Sequence, residues 1–333
     1  MSEEKLYIWG ETIPGNSKRS KTDVMDIHEE YSPQDLFEKY PGVWDKTTLE
    51  IGDMSGNDTM VYRQEIEHGP AVMTYEDKPF LLPYLVEGSD RCVIICPGGA
   101  YLTKSMDNEG RHIAQALNAV GISAFVLWYR TYPYRAPFMY LDCQRAIRYV
   151  RYHAKTFSLN PDKISLVGFS AGGNLVAVTA YKFRNQSIQV EGYVPDMIDS
   201  VDARIATLAG VYPAVSIEED KIIACIDSRE TYNNPEKRRA FAEEYDVFSR
   251  VQEDDVPLFL CAAMDDEVVP AKHLLRLAQI ASEKELDCEL HLFAEGGHGF
   301  GACQGEQMPQ FYHDWTEVKQ WLNLYTTWLS RVL

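Results

Sequence analysis

The chain has 333 residues, 45% of them hydrophobic, which is enough for a large buried core. Against 32 Lys and Arg stand 50 Asp and Glu, a net charge of −18. That balance argues against nucleic acid and anionic membrane surfaces as partners and disfavours polyanionic substrates.

The seven cysteines lie mostly inside apolar runs such as Cys92–Cys96 and Leu260–Ala262, with neither C-x-x-C pairing nor metal-ligand spacing. They read as reduced thiols, and no metal or cofactor is expected. Met1–Lys5 lacks a basic stretch followed by an apolar one, and no apolar run reaches the length of a membrane span. The expected location is cytoplasmic.

Residues 1–85 mix aromatics (Tyr7, Trp9, Trp44) with turn-like polar stretches such as Gly15–Arg19. They read as an N-terminal extension packing on a main domain of residues 86–333. Three roles stay open for the extension: wrapping that domain, walling a pocket, or making contacts in a homo-oligomer.

From Arg91 onward strands and helices alternate. Val93–Cys96 is a short apolar strand, followed by a helix with Ile113, Ala116, Leu117 and Val120 on one face. Ile122–Trp128 is the next strand, and Cys143, Ala146, Ile147 and Val150 stripe the next helix. Ile164–Val167 leads through a glycine-rich turn into a helix over Asn174–Tyr181. Further strands are expected at Ala206–Val211, Leu258–Ala263 and Cys288–Phe293, with helices over Ala271–Glu283 and from Val318 to Val332. This alternation implies crossover connections and an α/β fold, with a mainly parallel central sheet covered by helices on both faces. The charged stretch 212–251, between two strands, reads as a small cap insertion.

The turn after the third of these strands carries the strongest chemical signal. Gly168-Phe169-Ser170-Ala171-Gly172 matches G-x-S-x-G, a nucleophile elbow in which a strained strand-to-helix turn exposes the serine Oγ. The bland reading is a glycine-rich turn without chemistry. In an open α/β sheet ligands bind beyond the carboxyl ends of strands, so partners are sought on loops that follow strands. Pro97-Gly98-Gly99-Ala100-Tyr101 lies where an oxyanion loop belongs, with Gly99, Ala100 and Ala171 as backbone donors. After Leu258–Ala263 come Asp265, Asp266 and Glu267. Asp265, nearer the strand end, is taken as the acid that orients the histidine, with Asp266 and Glu267 outside near the next helix. Of the eight histidines, His298 alone lies in a glycine-flanked loop at a strand end. The order Ser170, Asp265, His298 is that of α/β-hydrolases.

On these residues the chain from about Pro79 onward resembles the α/β-hydrolase superfamily, and within it the bacterial acetyl-esterase and xylan-esterase-like group. Further matches are Asn108-Glu109-Gly110, Tyr129-Arg130, Asp142 with Arg145–Arg148, Val268-Val269-Pro270 and Gly297–Phe300. The resemblance implies a serine esterase without cofactor, acting on a small-molecule ester such as an acylated saccharide. One departure is Ala100, where the group usually has a third glycine; a positive φ there would strain an alanine. An acyl-peptide-type serine peptidase would commonly carry a β-propeller, for which residues 1–85 are too short. An acyltransferase would pass the acyl group to another acceptor than water. A binding protein on a dead hydrolase scaffold would lack a triad member, and all three candidates are present.

Overall fold

A computed structural model describes residues 4–16, 30–31, 63–64, 71–73, 78–101, 104–131, 134–184, 186–217, 222–304 and 313–333. Most of the expected extension, including Trp44 and Ser17–Arg19, and residues 218–221 of the expected cap lie outside the described residues.

The strands are β1 Leu6–Tyr7, β2 Glu30–Tyr31, β3 Arg63–Gln64, β4 Ala71–Met73, β5 Phe80–Tyr84, β6 Cys92–Cys96, β7 Ser123–Trp128, β8 Ile164–Phe169, β9 Leu208–Val211, β10 Leu258–Ala263 and β11 Cys288–Phe293. Eight of them form one sheet in the order β1-β5-β7-β6-β8-β9-β10-β11, while β2, β4 and β3 form a small antiparallel sheet. From β7 to β11 all pairings are parallel; β5 runs antiparallel to β7 and to β1. Every residue of β6, β7, β8, β9 and β10 is buried, as predominantly apolar strands require when helices cover both faces.

The covering helices are α1 His112–Ala119, α2 Phe138–Tyr152, α3 Ala171–Tyr181, α4 Ile223–Ile226, α5 Arg229–Asn233, α6 Pro235–Glu244, α7 Ala271–Glu283 and α8 Trp321–Val332. Helix α3 follows the elbow and buries Ala171–Thr179 and Tyr181. It packs so close to β6 and β8 that a Cβ on Gly168 would overlap the Gly172 carbonyl, and one on Gly172 the Cys96 carbonyl. Helix α8 stacks Tyr325 between Trp321 and Trp328, and Tyr325 and Trp328 pack against Phe259 of β10. Helices α4, α5 and α6 occupy the insertion between β9 and β10. Tyr245 at its end stacks on Tyr140 of α2 at 5.5 Å, and the Ala136 N–H donates to Ile226 O at 2.6 Å.

The N-terminal stretch departs from expectation. Strands β1 and β5 both belong to the large sheet, so the boundary expected at residue 85 runs inside one sheet. Residues 8–16 continue across α2. Trp9 Nε1 donates to Asp142 Oδ1 at 2.9 Å, and the Arg145 Nε donates to Ile8 O at 2.8 Å. Arg130 donates to both oxygens of Asp142, at 2.8 and 2.7 Å, and to Asn16 Oδ1 at 3.0 Å. Arg130 and Asp142 are fully buried, so each relies on these partners in place of water. Replacing Trp9 by alanine removes a buried indole and one bond to Asp142, and is expected to lower the unfolding free energy by about 3–5 kcal/mol. Urea titration checks this; a loss below about 1 kcal/mol would show that residues 4–16 only decorate the core.

Candidate active site

The carboxyl ends of β6, β8, β9, β10 and β11 meet at one place. Ser170 follows β8 with φ +50° and ψ −118°, a backbone that L-residues rarely adopt. Neighbours hold it there: its N–H donates to Val211 O at 3.1 Å, and its carbonyl accepts from Asn174 N at 3.1 Å and Ala214 N at 3.0 Å. The Oγ lies 2.8 Å from His298 Nε2. His298 Nδ1 lies 2.8 Å from Asp266 Oδ2. With Asp266 on one nitrogen, the tautomer bearing Nδ1–H leaves Nε2 free to accept from the serine hydroxyl.

The structure therefore places Ser170 and His298 together as expected from their loops, but puts Asp266, not Asp265, on the histidine. Distance from the strand end along the chain is the wrong measure, because the chain turns there. Met264 N–H still donates to Phe293 O at 2.8 Å, extending the ladder by one residue, and the backbone then reverses. The Asp266 side chain is fully buried beneath the ring, and its Oδ1 accepts from Val268 N and Val269 N, both at 2.8 Å. Asp265 is one third exposed. Its carboxylate accepts instead from Gly297 N at 2.8 Å and Gly296 N at 3.3 Å.

The loop after β6 runs directly against Ser170. A Cβ on Gly98 would lie 2.7 Å from Phe169 O and 2.8 Å from Ser170 Cβ. Gly99 and Ala100 follow in the same loop at φ +134° and +54°. Ala100 thus adopts the left-handed region at the one position where the resemblance calls for glycine, at a cost of about 1 kcal/mol or more. Ala171 opens α3, where the first amide groups have no intrahelical carbonyl to donate to and the helix end favours negative charge.

Two buried groups that sequence reasoning left without a role tie these loops together. Glu109 sits in a π-helical turn, Asp107–Arg111, a local widening often found beside functional sites. Its Oε2 accepts from Gly98 N at 2.6 Å and its Oε1 from the Tyr212 hydroxyl at 2.8 Å. That hydroxyl oxygen in turn accepts from Gly301 N at 2.9 Å. Burial and the Glu109 carboxylate push the Tyr212 phenol well above its ordinary pKa, so it stays a donor. The Tyr212 ring lies 4.8 Å from that of His298. Asn108, next to Glu109, donates to Gly299 O at 3.0 Å and accepts from Ala302 N at 3.1 Å. The loop after β6 and the loop that carries His298 therefore share one hydrogen-bonded frame. Tyr212 directly follows a strand, so the strand-end rule was the signal available for it; Glu109 lies 11 residues from Gly98 but 103 from Tyr212, and it follows no strand directly.

Among the described residues no cluster of three or more His, Cys, Asp or Glu side chains is placed to hold a metal ion, and no helix is long and apolar enough to cross a membrane. All seven cysteines are free thiols.

Comparison with known proteins agrees with this architecture. The family model described as BD-FAE matches residues 80–280, and the dienelactone hydrolase family model matches residues 243–333. An acetylxylan esterase of Xylanibacter ruminicola is 27% identical over 64% of this chain and 42% of its own length, so the chain spans less than half of that relative. An acetyl ester-xyloside bifunctional hydrolase of Caldicellulosiruptor lactoaceticus superposes with a TM-score of 0.65 at 30% identity, covering 78% of this chain and 89% of that one. A carboxylesterase of Lactobacillus plantarum, 20% identical, shares the fold with a TM-score of 0.61 over 82% of this chain and 97% of its own. With more than half of its residues under one family model, the chain belongs to the BD-FAE family, in the esterase group of α/β-hydrolases.

Proposed function

We propose that this protein is a serine carboxylic-ester hydrolase that removes small acyl groups from acylated saccharides through an acyl-enzyme. The observation that carries the reading is the unbroken hydrogen-bonded line from Ser170 Oγ through the His298 ring to the buried Asp266 carboxylate. His298 takes the Ser170 proton as Oγ attacks the ester carbonyl, and Asp266 holds the ring and stabilises the imidazolium. The N–H groups of Ala171, Gly99 and Ala100 stabilise the oxyanion; loss of one such donor typically costs about 3–4 kcal/mol in kcat. His298 then protonates the leaving alcohol, and a water activated by the same ring releases the acid. The saccharide side rests on the relatives: one is named for acetylxylan and another for acetyl ester and xyloside hydrolysis.

A substrate panel tests this. Purified protein is expected to hydrolyse p-nitrophenyl acetate faster than the butyrate and octanoate, and to release acetate from acetylated xylo-oligosaccharides. An aminoacyl anilide is expected to be a poor substrate. Faster cleavage of the anilide than of any ester would make the protein a peptidase.

A further inference from the structure

The histidine loop is built from residues with little backbone preference of their own. Gly296, Gly297, Gly299 and Gly301 all adopt positive φ, at +155°, +63°, +75° and +45°. Such a loop gains its geometry from what grips it. The far side, from Gly299 to Ala302, is held by Asn108 and Tyr212. The near side, immediately before His298, is held by a separate group of residues.

Asp265 receives the N–H groups of Gly297 and Gly296 on its two carboxylate oxygens, and His313 Nδ1 lies 3.2 Å from the same Oδ2 that faces Gly296. The His313 ring also covers Gly297 so closely that a Cβ there would overlap it. Trp315, two residues on, donates its Nε1 to Gly296 O at 3.2 Å. Burial works against ionisation of Asp265, yet the two amide groups and the His313 ring together outweigh it and hold the carboxyl below its ordinary pKa. It is therefore an anion at neutral pH, and hydrogen bonds to a charged acceptor are the stronger kind.

We propose that Asp265 and His313 form a second Asp–His pair behind the active site, whose task is to position the Gly296–Gly297 backbone and so aim His298 at Ser170. The adjacent aspartates then divide the work: Asp266 acts on the imidazole and Asp265 on the loop that carries it. The proposal rests on the Ser170–His298–Asp266 reading. It makes Asp265 and His313 positioning residues, since neither touches His298 or Ser170 through any contact described above. A displaced general base of about 1 Å costs about 10²-fold in rate, and the cost falls on kcat because substrate binding is not involved.

The test compares kcat and KM for p-nitrophenyl acetate in Asp265→Ala, Asp265→Asn and His313→Ala, with thermal midpoints and fluorophosphonate labelling of Ser170 measured alongside. Asp265→Ala is expected to lower kcat about 10²-fold with KM within about threefold of wild type. Asp265→Asn keeps a carbonyl oxygen for the Gly297 N–H and is expected to recover kcat to within about fivefold of wild type. His313→Ala, which retains both amide bonds to Asp265, is expected to lose about tenfold in kcat and supplies the test by itself if Asp265→Ala does not fold. Wild-type kcat in Asp265→Ala or, should that variant not fold, in His313→Ala overturns the proposal. So does an Asp265→Asn loss as large as that of Asp265→Ala, since the acceptor oxygen that asparagine keeps on the Gly297 N–H would then position nothing. Wild-type protein that is not labelled at Ser170 overturns the nucleophile reading itself, an outcome distinct from labelled protein whose kcat ignores Asp265.

Discussion

Asp266→Asn is expected to lower kcat about 10⁴-fold, the size of loss seen when the acid of a serine triad is made neutral without changing its shape. The reason lies in which oxygen does what. Oδ1 is committed to the Val268 and Val269 N–H groups, and Oδ2 alone faces His298 Nδ1. An asparagine keeps its carbonyl oxygen on the two amide groups and turns its NH₂ toward the ring. Nδ1 must then accept, the ring proton moves to Nε2, and Nε2 presents a hydrogen to Ser170 Oγ in place of a lone pair. The variant is expected to stay folded and to bind ester with little change in KM while lacking a base. Steady-state kinetics on p-nitrophenyl acetate beside Asp265→Asn decide the matter. A loss under about tenfold in Asp266→Asn, or a larger loss in Asp265→Asn, would return the acid's role to Asp265.

That contrast shows where the sequence could be read and where it could not. The buried strands β6 to β10 are predominantly apolar runs, with only Ser123 and Ser165 polar, so their existence and order follow from composition along the chain. Ser170 and His298 are legible for the same reason: each lies in a glycine-rich loop directly beyond a strand. The choice between Asp265 and Asp266 is not, because it depends on a chain reversal that moves the second aspartate under the ring and the first away. Strand β1 is two residues long, and β5 contains Pro83, which a central strand would not tolerate. β1 pairs only with Phe80 and Leu81, so Pro83 lies where β5 is itself an edge, a condition visible only in the assembled sheet.

The shared frame of Glu109, Tyr212 and Asn108 belongs to the same class of hidden information. Its members come from a π-helical turn and a strand end about a hundred residues apart in sequence, and they serve loops that follow β6 and β11. They tie to one another the two loops that the proposed mechanism needs in one transition state. Preorganised donors are effective because their alignment is set before the charge appears, and a buried, fully bonded carboxylate is a stiff way to set it.

Ser170→Gly and Ser170→Ala are both expected to lower kcat by about 10⁶-fold, since a triad without its nucleophile keeps only the contribution of oxyanion donors and binding. They part in stability. Both lose the hydroxyl and its bond to His298, so that term cancels between them. Alanine keeps the Cβ and with it the strained φ of +50° and ψ of −118°; glycine adopts that region freely. Strain of this kind is worth about 1–3 kcal/mol, from which glycine's greater freedom in the unfolded chain subtracts about 0.5–1 kcal/mol. Ser170→Gly should therefore be at least as stable as Ser170→Ala, by up to about 2.5 kcal/mol in urea titration. Alanine exceeding glycine in stability would show that the elbow is relaxed, and a kcat within tenfold of wild type in either variant would remove Ser170 as nucleophile. The joint result, dead enzymes of which the glycine form is the sturdier, is what a protein that stores strain at its reactive atom must give.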